Sequence, residues 1–240
     1  ILTGVASLTI AIGIGRFSYT PILPFMLSEI GLSKTHGGLI ASANYFGYLI
    51  GSLIPILPIF PKRIRNIFFS SIFICIMTIF LMGLVDDLNF FIILRFIHGV
   101  FSAFVLILGT SIILPHIQDL GKIHLSTAHF SGVGLGMVFS SIVVSVLGYY
   151  GFQWDHLWIA IGFLSLLLSL QIILFTPFEK ELPKNFITKD GFGITSICKS
   201  YIKDLISGED FPPYKYGVPV YAKLKLPLVK KKLKKFKVSL

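Results

Sequence analysis

Gly13-Ile14-Gly15-Arg16-Phe17-Ser18-Tyr19-Thr20-Pro21-Ile22-Leu23-Pro24 is the stretch whose reading decides the fold. It sets a guanidinium, and then two prolines, inside a run otherwise apolar enough to cross a bilayer. An arginine at the centre of a spanning helix costs about 2.5–3.5 kcal/mol on insertion scales and keeps its charge. Such a residue is retained where it faces a bundle interior or a watery cavity. The stretch therefore implies a helical membrane bundle with a polar interior. A second arginine, Arg95, lies in another apolar run. Two buried cations in one bundle point to something anionic, because guanidinium grips carboxylate or phosphate with two parallel N–H donors.

The rest of the chain agrees with the membrane class. Mean hydropathy is +0.84. Of the 240 residues only 13% are charged, against about 25% in a soluble domain. The two cysteines, Cys75 and Cys198, lie far apart and give no disulfide framework or metal spacing. Ile1 rather than Met opens the chain, so residues are expected to precede it. The opening run continues through Arg16 and two prolines, which does not fit a cleavable signal peptide.

Six apolar runs can be drawn, over 1–28, 37–59, 67–85, 90–114, 128–149 and 157–175. Each matches a hydrocarbon core of about 30 Å at about 1.5 Å per residue. The expected fold is an all-α six-helix membrane bundle over 1–175, followed by a basic tail over 176–240. Lys62, Arg63 and Arg65 follow the second run, Lys122 the fourth, and Lys180 and Lys184 the sixth. The opposite loops carry Lys34 alone, with Asp86, Asp87 and Asp155. By the positive-inside rule the N-terminus and the tail are cytoplasmic, in a cell (inner) membrane. Tyr149, Tyr150, Trp154 and Trp158 fit an aromatic belt at the outer interface.

Charge divides unevenly. Residues 1–175 hold 7 Lys/Arg and 5 Asp/Glu, and residues 176–240 hold 14 and 6. In the tail, period-two alternation over 218–228 suggests a strand. Val229, Leu233, Phe236 and Leu240 among lysines suggest a basic amphipathic helix for an anionic leaflet, or a solvated face. Nucleic acid is not an expected partner, since the membrane is already adjacent.

Small residues recur at four-residue steps: Ala43, Gly47 and Gly51; Gly99 and Ala103; Gly132, Gly136 and Ser140. They serve close helix packing, or mark places where a moving bundle flexes. Arg16, Tyr19 and Thr20 share one helical face, Asn44 and Tyr48 another with Tyr45 beside it, and Arg95, His98 and Gly99 a third. The expected solute-binding set is Arg16, Tyr19, Asn44, Tyr48, Arg95 and His98. For the arginines the other readings are pairing with backbone carbonyls, or snorkelling of Arg95 from near a helix end. Arg16 lies about 22 Å along the first helix, and Arg95 five residues past the start of the fourth run. Both fall in the outer half. The carboxylates Glu29, Asp86, Asp87, Asp119 and Asp155 sit at run ends or in loops. A co-transported proton would therefore fall to His98 or His129, the latter expected at the cytoplasmic interface. Nothing resembles a nucleophile elbow, a phosphate-cradling loop or a metal cluster, so neither an enzyme nor a cofactor is expected.

The opening motif, together with Ala41-Ser-Ala-Asn-Tyr-Phe-Gly-Tyr-Leu-Ile-Gly51, resembles the YbfB/YjiJ group of major facilitator superfamily (MFS) transporters. Arg95-Phe-Ile-His-Gly99-Val-Phe-Ser-Ala103 is similar to the superfamily's fourth-helix pattern, and His129-Phe-Ser-Gly-Val-Gly-Leu-Gly136 to the group's fifth helix. The resemblance implies one half of a carrier, with three-plus-three inverted repeats, whose first and fourth helices line a central cavity. It departs at Pro58-Ile-Phe-Pro-Lys-Arg-Ile-Arg65, which keeps the basic residues of that loop without the superfamily's Asp and Gly. The implied function is alternating-access transport of a small organic anion by an N-terminal half. A second half, or a second copy of the chain, would enclose the pathway. The alternative is a non-transporting truncated or fused membrane protein whose basic tail binds lipid or a soluble partner.

Overall fold

A computed structural model describes residues 2–57, 60, 63–119, 126–175, 187–188 and 191–192. The first span opens as α1 (Leu2–Leu8), runs into a π-helical stretch (Thr9–Ile14), breaks at residues 15–18, and resumes as α2 (Tyr19–Glu29). Pro21 accounts for the far side of the break: it lacks the N–H that would pair Phe17 O, and its ring disfavours the helical carbonyl geometry there, whereas Pro24 is carried inside α2. Then follow α3 (Lys34–Leu53), a short 3-10 turn (Ile54–Ile56), α4 (Ile64–Met82), α5 (Leu88–Asp119), α6 (Ser126–Tyr149) and α7 (Trp154–Phe175).

Five of these segments are long and apolar enough to cross a membrane: Leu2–Glu29, Ile64–Met82, Leu88–Leu114, Thr127–Tyr149 and Trp154–Ile172. The second expected run, over 37–59, is not among them. Its helix, α3, ends at Leu53 and carries Lys34, His36, Asn44 and four glycines, which dilute its hydropathy.

Two seams bring backbones into contact. Along α3 and α5, a Cβ at Gly47 would overlap the Phe96 carbonyl, one at Gly51 the Val100 carbonyl, and one at Gly99 the Asn44 carbonyl. Between the first span and α6, a Cβ at Gly13 would meet Val133 O at 2.6 Å and Gly136 Cα at 2.7 Å. The Thr9 hydroxyl donates to Gly132 O across that seam, at 2.9 Å. The four-residue glycine spacing thus serves close packing.

A core of Ile14, Tyr19, Ile22, Met26, Phe91, Leu157 and Trp158 fills the space between the first span, α5 and α7. Trp154 and Trp158 belong to it and not to an interfacial belt. Trp154 meets Phe91 edge-to-face at 5.7 Å, and Trp158 is fully buried beside Tyr19. The Glu29 carboxylate accepts from Trp154 N at 3.0 Å, placing an anion at the first turn of α7, where it complements the helix dipole. Tyr149 and Tyr150 are exposed, as a belt requires.

Ile187–Thr188 and Gly191–Phe192 pair as a minimal antiparallel ladder, Ile187 opposite Phe192 and Thr188 opposite Gly191. The strand expected over 218–228, the basic helix after it, Cys198 and most tail lysines lie outside the described residues.

Candidate functional site

The site is built around the break in the first span. Gly15 N bonds to Ile10 O at 2.9 Å and Arg16 N to Ile12 O at 3.1 Å, so the helical ladder steps over the Ala11 carbonyl. Beyond it, Thr20 N turns back to Phe17 O at 3.1 Å, and neither Gly15 O nor Arg16 O receives a backbone donor among the bonds through the break. Three carbonyls are thereby released inside an apolar bundle, where an unpaired one is costly.

Side chains of α5 take all three. Arg95 donates Nη1 to Gly15 O at 2.8 Å and Nη2 to Arg16 O at 3.0 Å. His98 places Nε2 3.1 Å from Ala11 O. Since a carbonyl only accepts, the His98 proton sits on Nε2, and Nδ1 faces the Thr78 hydroxyl of α4 at 2.9 Å. The Arg95 guanidinium also lies over the Tyr19 ring, 4.8 Å from its centroid. Arg95 is 3% exposed. The fork is thus spent on backbone, and snorkelling does not occur.

Arg16 is placed differently. It is half-buried and its guanidinium lies between two aromatic faces of α3, 4.4 Å from the Tyr45 centroid and 4.5 Å from that of Tyr48. Its Nε, like that of Arg95, is buried without a hydrogen-bond partner, so what sets Arg16 apart is that neither terminal nitrogen is given to a backbone carbonyl. Among the described residues no carboxylate pairs with Arg16. Magnitudes separate the two arginines. A hydrogen bond to a charged group contributes about 1.5–3 kcal/mol, and Arg95 makes two. A cation–π contact contributes about 0.5–2 kcal/mol, and Arg16 has only these. Arg95 is held; Arg16 is steadied but keeps donors to give.

The other expected residues divide in the same way. Tyr19 turns its hydroxyl away from the break and donates to Gly37 O at 2.9 Å. Asn44 is buried, with Nδ2 donating to Arg95 O at 2.9 Å and Oδ1 without a partner. Tyr48 offers its ring to Arg16. Thr20, grouped with Arg16 by helical spacing, is exposed. His129, in the first turn of α6, is fully buried within the bundle, with Nε2 3.2 Å from the Thr110 hydroxyl and Nδ1 unpartnered. A small gap beside the clamp is lined by Gly15, Thr78, Leu94, Arg95, His98 and Trp158. Thr78 and the Gly15 carbonyl went unnoticed in the sequence. A lone Thr in an apolar helix usually bonds its own helix, and Thr78 also lies 2.8 Å from Cys75 O, its single proton serving one of the two acceptors at a time. A carbonyl has no sequence signature at all.

Comparison with known proteins adds two findings. A family model described as "Uncharacterised MFS-type transporter YbfB" matches residues 8–189. Separately, a short stretch is similar to pyrophosphate–fructose 6-phosphate 1-phosphotransferases. It is 52% identical over 60 residues to that of Halomonas elongata, covering 25% of this chain and 14% of the enzyme. It is 53% identical over 55 residues to that of Methylococcus capsulatus, covering 23% and 13%. The chain therefore spans only about 14% of the length of the curated relatives it matches.

Proposed function

The chain belongs to the MFS-type transporter family described as YbfB, and from that premise we propose that it is the N-terminal half of an alternating-access carrier for a small organic anion. It is a multi-pass membrane protein with five clearly apolar spans. In this reading α3 is the sixth. Its 20 residues reach about 30 Å, and its glycines seat it backbone to backbone on α5. The first span, α3 and α4 then form one three-helix repeat, and α5, α6 and α7 the other. The N-terminus and the tail are cytoplasmic, on the inner membrane, because the basic loop residues fall on that side.

One observation carries the solute assignment. Arg16 presents a cation between two tyrosine faces, with no carboxylate paired to it among the described residues and no carbonyl holding its fork as Gly15 O and Arg16 O hold that of Arg95. A carboxylate or phosphate would complete that set with charge-assisted bonds. Tyr45 and Tyr48 flank the anion's seat, whereas Arg95, His98, Asn44 and Tyr19 hold the backbone around it. For a co-transported proton, His129 is the better placed imidazole, since its Nδ1 is unpartnered. A second half, or a second copy, closes the pathway.

Thermal unfolding of the purified chain in detergent, against a panel of organic anions and neutral analogues, tests the assignment. A ligand specific to the folded state raises apparent stability. Anion-specific stabilisation lost in Arg16→Met supports the reading. Equal responses to anions and neutral analogues refute it.

The phosphotransferase likeness favours a second reading for the tail. Membrane spans have no counterpart in a sugar-phosphate enzyme, so the 60-residue match is best assigned to the polar, basic residues after 176. The tail is then a fused segment, serving lipid or soluble-partner contact and not transport. Deleting residues 181–240 should leave membrane insertion and anion stabilisation intact. Loss of both on deletion removes this reading.

A further inference from the structure

We propose that His98 is a positioning residue for Arg16: by capping the Ala11 carbonyl it holds a one-residue π insertion in the first span, and that insertion sets where Arg16 points. The functional consequence rests on Arg16 as the anion ligand; the positioning itself does not.

The ladder geometry carries the argument. In an α-helix each residue advances the chain by about 100° and about 1.5 Å. The π stretch, Thr9–Ile14, absorbs one residue without that rotation, at the expense of one skipped acceptor, Ala11 O. Ala11 is fully buried, so no water reaches that carbonyl from outside. His98 is 2% exposed and aims Nε2 at it, at 3.1 Å. The ring cannot turn away freely, because the Thr78 hydroxyl meets Nδ1 on its other side.

Gly15 supplies an independent observation. A Cβ there would overlap Cε1 and Nε2 of the His98 ring. The glycine therefore admits the imidazole to the helix backbone, just as Gly13 admits Gly136 of α6. The part of the span before the insertion is pinned to α6, where a Cβ at Gly132 would overlap the Val5 carbonyl, and Thr9 at the start of the insertion donates to Gly132 O. If the ladder reverted to regular α-helix without losing a residue, the rotation of about 100° would fall on the far side. Arg16 would then leave the space between Tyr45 and Tyr48.

The insertion amounts to one extra residue, which makes the proposal testable by suppression. Position 16 is read as Arg16→Cys in the full chain with Cys75→Ala and Cys198→Ser, in lipid nanodiscs, by its rate of reaction with a negatively charged methanethiosulfonate. His98→Leu should slow labelling by about tenfold or more, since an orphaned buried carbonyl favours reversion to that extent. His98→Gln keeps an N–H for Ala11 O and should stay within about threefold of the parent. Deleting Ala11 together with His98→Leu should restore labelling, because no acceptor is then skipped. Should His98→Leu fail to fold while the deletion variant folds, the proposal is equally supported. Unchanged labelling in His98→Leu, or a deletion that restores neither fold nor labelling, overturns it. None of these readouts depends on an Arg16–anion contact, because position 16 is a cysteine throughout. Absence of anion-specific stabilisation alongside this pattern would therefore refute only the solute assignment.

Discussion

If Arg95 is a backbone clamp and Arg16 an uncommitted cation, removing each charge should have unequal effects on stability. Arg95→Met deletes two charge-assisted bonds, to Gly15 O and Arg16 O, a loss of about 3–6 kcal/mol at about 1.5–3 each. Arg16→Met deletes two cation–π contacts against one for Arg95, which narrows the gap by about 1 kcal/mol. Both changes also relieve a buried charge, nominally about 2.5–3.5 kcal/mol. Arg16 is only half-buried, so it recovers less, and the gap narrows again by about 1 kcal/mol. Arg95→Met should therefore be the more destabilising by about 1–4 kcal/mol. The chain carries its own reporter, because Cys75 is a free thiol at 0% exposure. In a Cys198→Ser background, a thiol-reactive fluorophore labels Cys75 only when the bundle opens. The expected difference corresponds to roughly 5- to 800-fold faster labelling in Arg95→Met than in Arg16→Met. Arg95→Lys, which keeps the charge but not the fork, should fall between them. Equal rates, or faster labelling in Arg16→Met, would show that the carbonyl contacts are not what keeps Arg95 in place.

Other outcomes follow from the seams and the helix ends. Gly99→Val pushes a branched side chain into the Asn44 carbonyl and should lose about 1–3 kcal/mol or more by overpacking; Gly134→Ala, where a Cβ meets open space, should change Cys75 labelling little. Glu29→Ala removes the acceptor for Trp154 N and should lower stability by about 1 kcal/mol, seen as a lower midpoint in detergent melts; an unchanged midpoint would mean water replaces the carboxylate. His129→Phe keeps the ring and removes the unpartnered Nδ1, so folding should persist while any pH-driven solute uptake in proteoliposomes is lost; uptake that remains proton-dependent would exclude His129 as the proton carrier.

The bundle was legible because hydropathy and small-residue spacing are local properties. Five of the six apolar runs correspond to segments apolar enough to span, and the four-residue glycine steps lie at the backbone contacts. Where the reading fell short, the deciding partner was distant in sequence. Trp154 and Trp158 look interfacial by composition, yet Phe91 and Tyr19 lie beside them only after folding. Arg95 looked like a solute ligand by its energetic cost. That argument says the charge must be satisfied but not by what, and here carbonyls 79 and 80 residues away satisfy it. The π insertion was out of reach for the same reason. It is defined by a carbonyl the ladder omits, and it persists because His98 lies 87 residues further on.

The short motif Gly13-Ile14-Gly15-Arg16 can now be read position by position, and each position answers to a different helix. Gly13 is small because Gly136 of α6 lies against it, and Gly15 because the His98 ring of α5 does. Arg16 is steadied by Tyr45 and Tyr48 of α3, while its own carbonyl and that of Gly15 are gripped by Arg95. A side chain that binds and releases a charged solute needs a fixed backbone beneath it and free donors above it. Arg95 and His98 supply the first from one turn of α5, and the proposed function assigns the second to Arg16. The division explains why a bundle with so few charges keeps two arginines at one level, and why exchanging their roles by spacing alone would fail. On the proposed reading, Arg95 would meet a solute with its two terminal nitrogens only by releasing the carbonyls of Gly15 and Arg16.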